Sequence, residues 1–206
     1  MREEQRSPRG CIARRMQTDV HHRLPGRAPI RRALYTAVLA AGLCVGLTAA
    51  PQESIERAVK AAYLFNFTKF VRWPAGVGAS DQFRLCVVGD HRFAAALDDI
   101  IKGESADGRP LVRLEPTSIE TARGCQILFV GSETPEHGRQ LLGAVRDLPV
   151  LTVGEAPTFL EQGGTIRFVV ADDRVRFDVS LPAASRAGVE ISSKLLRVAR
   201  RVDGGS

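Results

Sequence analysis

Three short apolar runs in this 206-residue chain end in a glycine followed by a polar residue, and those polar residues are the first places where chemistry could sit. Asp90 and His91 follow the run Phe83 to Val88 and Gly89, Ser132 and Glu133 follow Cys125 to Val130 and Gly131, and Glu155 follows Val150 to Val153 and Gly154. Carboxylates, an imidazole and a hydroxyl at the ends of neighbouring strands could hold a small ligand or move a proton. Each has a plainer reading, because Asp and Ser just after a glycine turn commonly cap helices. Neither G-x-G-x-x-G nor a P-loop follows any run, which argues against dinucleotide and nucleoside triphosphate binding. Ser132 lacks the flanking glycines of a nucleophile elbow. His91 and His137 lack metal-ligand spacing, and Asp172-Asp173 reads as a turn before it reads as a pair of catalytic acids. These residues predict no catalytic site, no metal site and no cofactor.

Recognition has better candidates. Trp73, the only tryptophan, follows Arg72 at the end of an apolar segment, and such a pair suits a partner contact or a planar ligand. Equally, Trp73 would serve to close the core at a helix end. Arg167, Arg174 and Arg176 lie on the polar side of an alternating segment, with Asp178 to balance them, either as a contact surface or as a charged guard on a sheet edge. Arg72, Trp73, Asp90, Ser132, Glu155 and Arg167 are therefore the candidate interaction or ligand set.

These residues need elements to hold them. Glu53 to Trp73 reads as a helix, apolar on most sides and so largely buried, stopping at Pro74. The three glycine-terminated runs read as strands, each followed by helical pattern: Phe93 to Lys102, Pro135 to Arg146, and Pro157 to Glu161. Leu111 to Leu114 adds a strand. Thr165 to Val170 and Arg174 to Leu181 alternate around Asp172-Asp173 as an antiparallel hairpin at a sheet edge, and Leu195 to Val202 returns to helix. Strand, glycine turn, cap and helix in succession predict a three-layer α/β/α fold with a mostly parallel sheet, Rossmann- or flavodoxin-like, ending in an antiparallel hairpin strand pair.

The first 50 residues are of another kind. Ala33 to Ala50 is apolar and uncharged, follows Arg31-Arg32 and ends in small residues, which is the layout of a secretory signal and predicts cleavage between Ala50 and Pro51. Residues 1–50 are thus a leader, with its apolar region at about 33–50, and residues 51–206 are one domain, exported to the periplasm. Nine arginines and three acidic residues lie in the leader, which carries the whole net charge of +6. The remaining 20 basic and 20 acidic side chains cancel, which removes the case for nucleic acid as a partner. Cys86 and Cys125 are the two cysteines outside the leader; in an oxidising compartment they read as one disulfide, with two buried thiols as the other reading.

The helix AVKAAYLFNFTKFVRWP, the strands FRLCVVGD and GCQILFVGS, the segments LPVLTVGE and FLEQGGTIRFVV, and the ending RVRFDVSLPAASRAGVEISSKLLRVAR together resemble the YfiR family of bacterial periplasmic proteins, from about Ile55 to Val202. The resemblance implies a non-enzymatic regulator on an α/β fold, a homodimer that represses a membrane-bound diguanylate cyclase by binding its periplasmic part. It implies relief by an outer-membrane lipoprotein, and with it control of cyclic-di-GMP signalling and biofilm behaviour. It also implies the Cys86 to Cys125 bridge. A second cysteine pair found in some members is absent here. The family's small-ligand site uses basic and histidine side chains where this chain has Glu190 and Ser192, so no ligand-binding residue carries over. The alternative expectation is a small-molecule sensor that uses the strand-end crevice.

Overall fold

The computed structural model describes residues 52–76 and 80–205. The leader and its cleavage between Ala50 and Pro51 lie outside the described residues. Helix α1 (Gln52–Phe70) runs into the two-residue strand β1 (Val71–Arg72). After it come β2 (Phe83–Val88), α2 (His91–Ile101), β3 (Ser105–Ala106), β4 (Arg109–Leu114), α3 (Ile119–Arg123), β5 (Ile127–Val130), α4 (Pro135–Val145) and β6 (Leu151–Gly154). The last elements are the hairpin β7 (Ile166–Ala171) and β8 (Arg174–Ser180), then α5 (Leu181–Arg186), β9 (Glu190–Ile191), α6 (Ser193–Leu196) and β10 (Arg201–Asp203).

Eight strands form one sheet in the order β10-β8-β7-β6-β5-β2-β4-β3, while β1 and β9 pair separately. Neighbours from β4 to β7 are parallel, and β8 is antiparallel to β7. This is the mostly parallel α/β arrangement with a late antiparallel hairpin that the repeated strand-turn-helix pattern predicts. The period of two explains the layers. Phe83, Leu85 and Val87 of β2, with Ile127 and Phe129 of β5, join the core that also holds Leu64 and Phe67 of α1 and Phe93 and Leu97 of α2. Cys86, Val88 and Leu128 point the other way, to Ala122 of α3 and Leu141 and Val145 of α4. Aromatic rings dominate the first core: Phe129 stacks on Phe93 at 4.0 Å, and Phe67 meets Phe177 edge-on at 5.4 Å. Cys86 and Cys125 form a disulfide in the second core, with their Cα atoms 5.9 Å apart.

Local signals account for the helix starts. Asp90, Ser118, Ser180 and Ser192 each accept a hydrogen bond from a backbone N–H three residues on, and so cap α2, α3, α5 and α6. Asp172 and Asp173 both take positive φ, +51° and +55°, so the hairpin turns in two residues.

Five expectations are corrected. Helix α1 ends at Phe70 rather than Trp73, because Val71 and Arg72 straighten to pair with Ile191 and Glu190. It buries one face only: Ile55 and Val59 are 53% and 38% exposed. Pro157 to Glu161 is a series of turns rather than a helix. Leu195 to Val202 is not one helix either; α6 stops at Leu196 and residues 201–203 become β10, parallel to β8. The backbone N–H of Arg200 donates to Phe177 at 2.8 Å, and that tertiary bond overrides the local helix preference. The hairpin is consequently not the outermost pair, since β10 lies beyond β8.

Candidate functional site

The order in which strands are added to the sheet reverses at β2, which has β4 on one side and β5 on the other. Such a switch point is where open α/β sheets usually hold ligands. Here the two loops at that point are bonded to each other: the Gly131 N–H donates to Val88 at 2.8 Å and the Glu133 N–H to Gly89 at 2.8 Å. The His91 N–H adds a bond to the Glu133 carboxylate at 3.3 Å. A β-carbon on Gly131 would stand 2.3 Å from the Gly89 carbonyl oxygen, so glycine is what lets the loops close. The Asp90 carboxylate accepts from the Phe93 N–H at 2.8 Å and is spent as a cap. Ser132 is exposed and lines a cavity of about 350 Å³ with Val130, Leu142 and Phe159.

The charged chemistry lies farther along the sheet. Lys60 shares a face of α1 with Leu64 and Phe67, and only 5% of it is exposed. Its Nζ lies 2.5 Å from Glu56 and 2.9 Å from Glu155, which ties α1 to the loop after β6. Burial is the largest influence on this ammonium and pushes its pKa down; hydrogen bonds and charge from Glu56 and Glu155 outweigh it and hold the pKa above 10.5. Beside this cluster, the fully buried Asp178 accepts from Arg167 at 2.7 Å and from Arg200 at 2.8 and 2.6 Å. Burial pushes this carboxyl up, and the bonds from Arg200 and Arg167 overcome that and hold it below 3.8. A second Arg167 nitrogen donates to the Pro157 carbonyl. Both clusters border one cleft of about 460 Å³.

Glu155 and Arg167 are thereby brought together, as members of two adjoining ion clusters. Arg72 is exposed on β1 and lines a separate cleft of about 440 Å³ with Lys69, Glu190, Ser192 and Lys194. Trp73 is half-buried: its ring meets Phe83 edge-on at 5.1 Å and its Nε1 donates to the Gln126 carbonyl at 3.1 Å. Trp73→Phe removes that bond but keeps the ring contact and leaves the carbonyl its bond from the Leu151 N–H. We expect a cost of about 1 kcal/mol, seen as a lower urea midpoint at unchanged slope.

Lys60 and Arg200 escaped the sequence reading. A lysine at the apolar positions of α1, four before Leu64 and seven before Phe67, was a usable signal for Lys60. Arg200 had none, because its role depends on β10 docking beside β8. Asp178 was read as a surface balance for three arginines; it is buried, and its partners are Arg167 and Arg200 instead of Arg174 and Arg176.

His91 lies 3.8 Å from Glu133, and His137 contacts the Pro116 carbonyl at 3.3 Å. Among the described residues no group of three or more His, Cys, Asp or Glu side chains could hold a metal ion. No described helix is long and apolar enough to cross a membrane.

Solved structures similar to this chain include a conserved domain protein from Vibrio cholerae O1 biovar El Tor, at 12% identity and TM-score 0.49, over 71% of this chain and 60% of that one. Another is the ABC domain in complex with L-Trp from Streptococcus pneumonia, at 10% identity and TM-score 0.44, over 61% of this chain and 58% of that one. This chain thus spans about three fifths of each, and both are too distant to bear on function. The family model described as YfiR/HmsC-like matches residues 57–200, from the second turn of α1 to the arginine that clamps Asp178. On that match the chain belongs to the YfiR/HmsC-like family of periplasmic regulatory proteins.

Proposed function

We propose that this chain is a non-enzymatic periplasmic regulator that represses a membrane-bound diguanylate cyclase by direct contact with its periplasmic part, and so controls cyclic-di-GMP signalling. The carrying observation is the family match over residues 57–200. In this reading the leader is removed between Ala50 and Pro51, the regulator works as a homodimer, and an outer-membrane lipoprotein relieves repression. Arg72, beside a cleft with two further cations, Lys69 and Lys194, is available for partner contact.

Crosslinking in cells followed by capture of the tagged protein is expected to recover an inner-membrane protein with a cyclase domain, and deletion is expected to raise cyclic-di-GMP. Repeated capture of no such protein, together with unchanged cyclic-di-GMP, overturns the proposal. N-terminal sequencing of the exported protein tests the cleavage, with a start near Pro51 expected and a start at Met1 against it.

One observation favours a second reading, a small-molecule sensor. The cavity beside Ser132 is walled by Val130, Leu142 and Phe159, and suits an apolar ligand of modest size. A ligand there raises the melting temperature of wild-type protein and not of Leu142→Arg.

A further inference from the structure

We propose that the open half of strand β7 is a docking edge that accepts an extended segment of a partner protein as an added strand. All six residues of β7 pair with β8, but only Ile166 and Arg167 reach β6, opposite Val153 and Gly154. Strand β6 stops at Gly154, so Phe168 to Ala171 extend past it with no strand alongside among the described residues.

Hairpin geometry decides which backbone groups are left over. Across a two-residue turn the flanking residues, Ala171 and Arg174, exchange both their hydrogen bonds, and the pattern then alternates along an antiparallel ladder. Val169 with Arg176 and Arg167 with Asp178 are therefore the other bonded pairs. The N–H and C=O of Phe168 and Val170 point away from β8; the parallel pairing of Gly154 with Arg167 takes up the Phe168 N–H, which leaves the Phe168 C=O and both groups of Val170 on the vacant side. The cleft of about 460 Å³ opens there, bounded by Pro157 at one end and by Phe168, Val169 and Val170 along its length. Val170 is 51% exposed. An unpaired row of this kind is a template for strand addition.

The two faces of the cleft differ in charge, and that selects the occupant. Toward α1, Lys60 meets two carboxylates, Glu56 and Glu155, leaving one negative charge in excess. On the opposite side, Arg167 and Arg200 share the single carboxylate of Asp178, leaving one positive charge in excess, and Arg167 Nε is buried without an acceptor. Successive side chains of a strand point to opposite faces. The edge therefore fits a segment about four residues long in which a basic residue stands next to an acidic one. The basic side chain would lie toward Glu56 and Glu155, the acidic one toward Arg167 and Arg200. This inference rests on no particular partner and stands whether or not that partner is a cyclase.

The test titrates the peptide acetyl-TVKDVT-amide into isotope-labelled protein and follows the amide signals. Two controls are TVKVDT, which puts both charges on one face, and TVKDVT methylated at alternate backbone nitrogens. The expected result is shifts confined to Arg167 through Ala171, Glu56, Lys60, Glu155 and Arg200, slower exchange of the Val170 amide, and affinity about tenfold weaker for either control. Val170→Pro should weaken TVKDVT by about tenfold too, while the β7–β8 ladder survives because the Val170 N–H does not face β8. Should that variant misfold, the methylated peptide probes the same bonds from the other side. No shifts at millimolar TVKDVT, shifts elsewhere, or equal binding of the methylated peptide overturns the proposal and leaves an edge merely guarded by charge. A wild-type dimer that Val170→Pro dissociates and TVKDVT cannot displace would also overturn it, since the added strand would then belong to a second copy of this chain.

Discussion

Replacing Cys86 and Cys125 together by alanine is expected to lower the unfolding free energy by about 4 kcal/mol, the chain-entropy value for closing a loop of this length. The two residues are 39 apart in sequence and 0% and 1% exposed, so the bridge links β2 to the approach of β5 inside the second core. Bridging these two neighbouring central strands removes extended conformations from the unfolded chain, and the substitution gives them back. Urea unfolding with and without reductant measures the effect. Reductant should shift the wild-type midpoint about as far as the alanine pair does and should leave the alanine pair unmoved. A wild-type midpoint indifferent to reductant would show that the bridge adds nothing to stability.

Asp178→Ala is expected to cost about 3 kcal/mol, because removing one partner of a buried ion cluster leaves the others uncompensated. Arg167, 16% exposed at its side chain, would lose its only carboxylate, whereas Arg200 at 40% can turn to water. The exposure of Arg200 places the cost toward the low end for buried pairs. Chemical denaturation gives the number, and Asp178→Asn should recover part of it by keeping acceptor geometry. The sign of the pH dependence follows from the lowered carboxyl pKa. A carboxyl whose folded pKa lies below its unfolded value contributes stability that is complete above the unfolded value, near 3.9, and is lost as pH falls through the folded one. Wild type should therefore lose stability below about pH 4 more steeply than Asp178→Ala does. Parallel acid titrations of the two proteins would refute the assignment.

Much of the fold was legible because its signals are local. A glycine after each apolar run, Asp90 at a helix start, and the Asp172-Asp173 turn act within a few residues, so their outcome hardly depends on the rest of the chain. The failures are the segments whose fate is decided at long range. Leu195 to Val202 has helix-forming residues throughout, yet Phe177 and Asp178 capture Arg200 from 22 or 23 positions away and draw the chain into β10. Val71 and Arg72 leave the helix because β9, over a hundred residues later, offers them a partner.

The candidate site divides in the same way. Its residue types were visible: Glu155 and Arg167 were singled out from their places at a strand end and on an alternating strand. Their partners were not, because an ion cluster is set by which elements lie side by side, and no spacing in the chain announces Lys60 beside Glu155 or Arg200 beside Asp178. By itself the sequence determined the α/β class, the helix capped by Asp90 and the two-residue hairpin, since these depend on period, turn chemistry and capping over short distances. Only the tertiary structure decided that the loops after β2 and β5 bond to each other, that Asp178 is buried between two arginines, and that β7 outruns β6. Each of those depends on where strands stop relative to their neighbours, a quantity that register and packing set across the whole sheet.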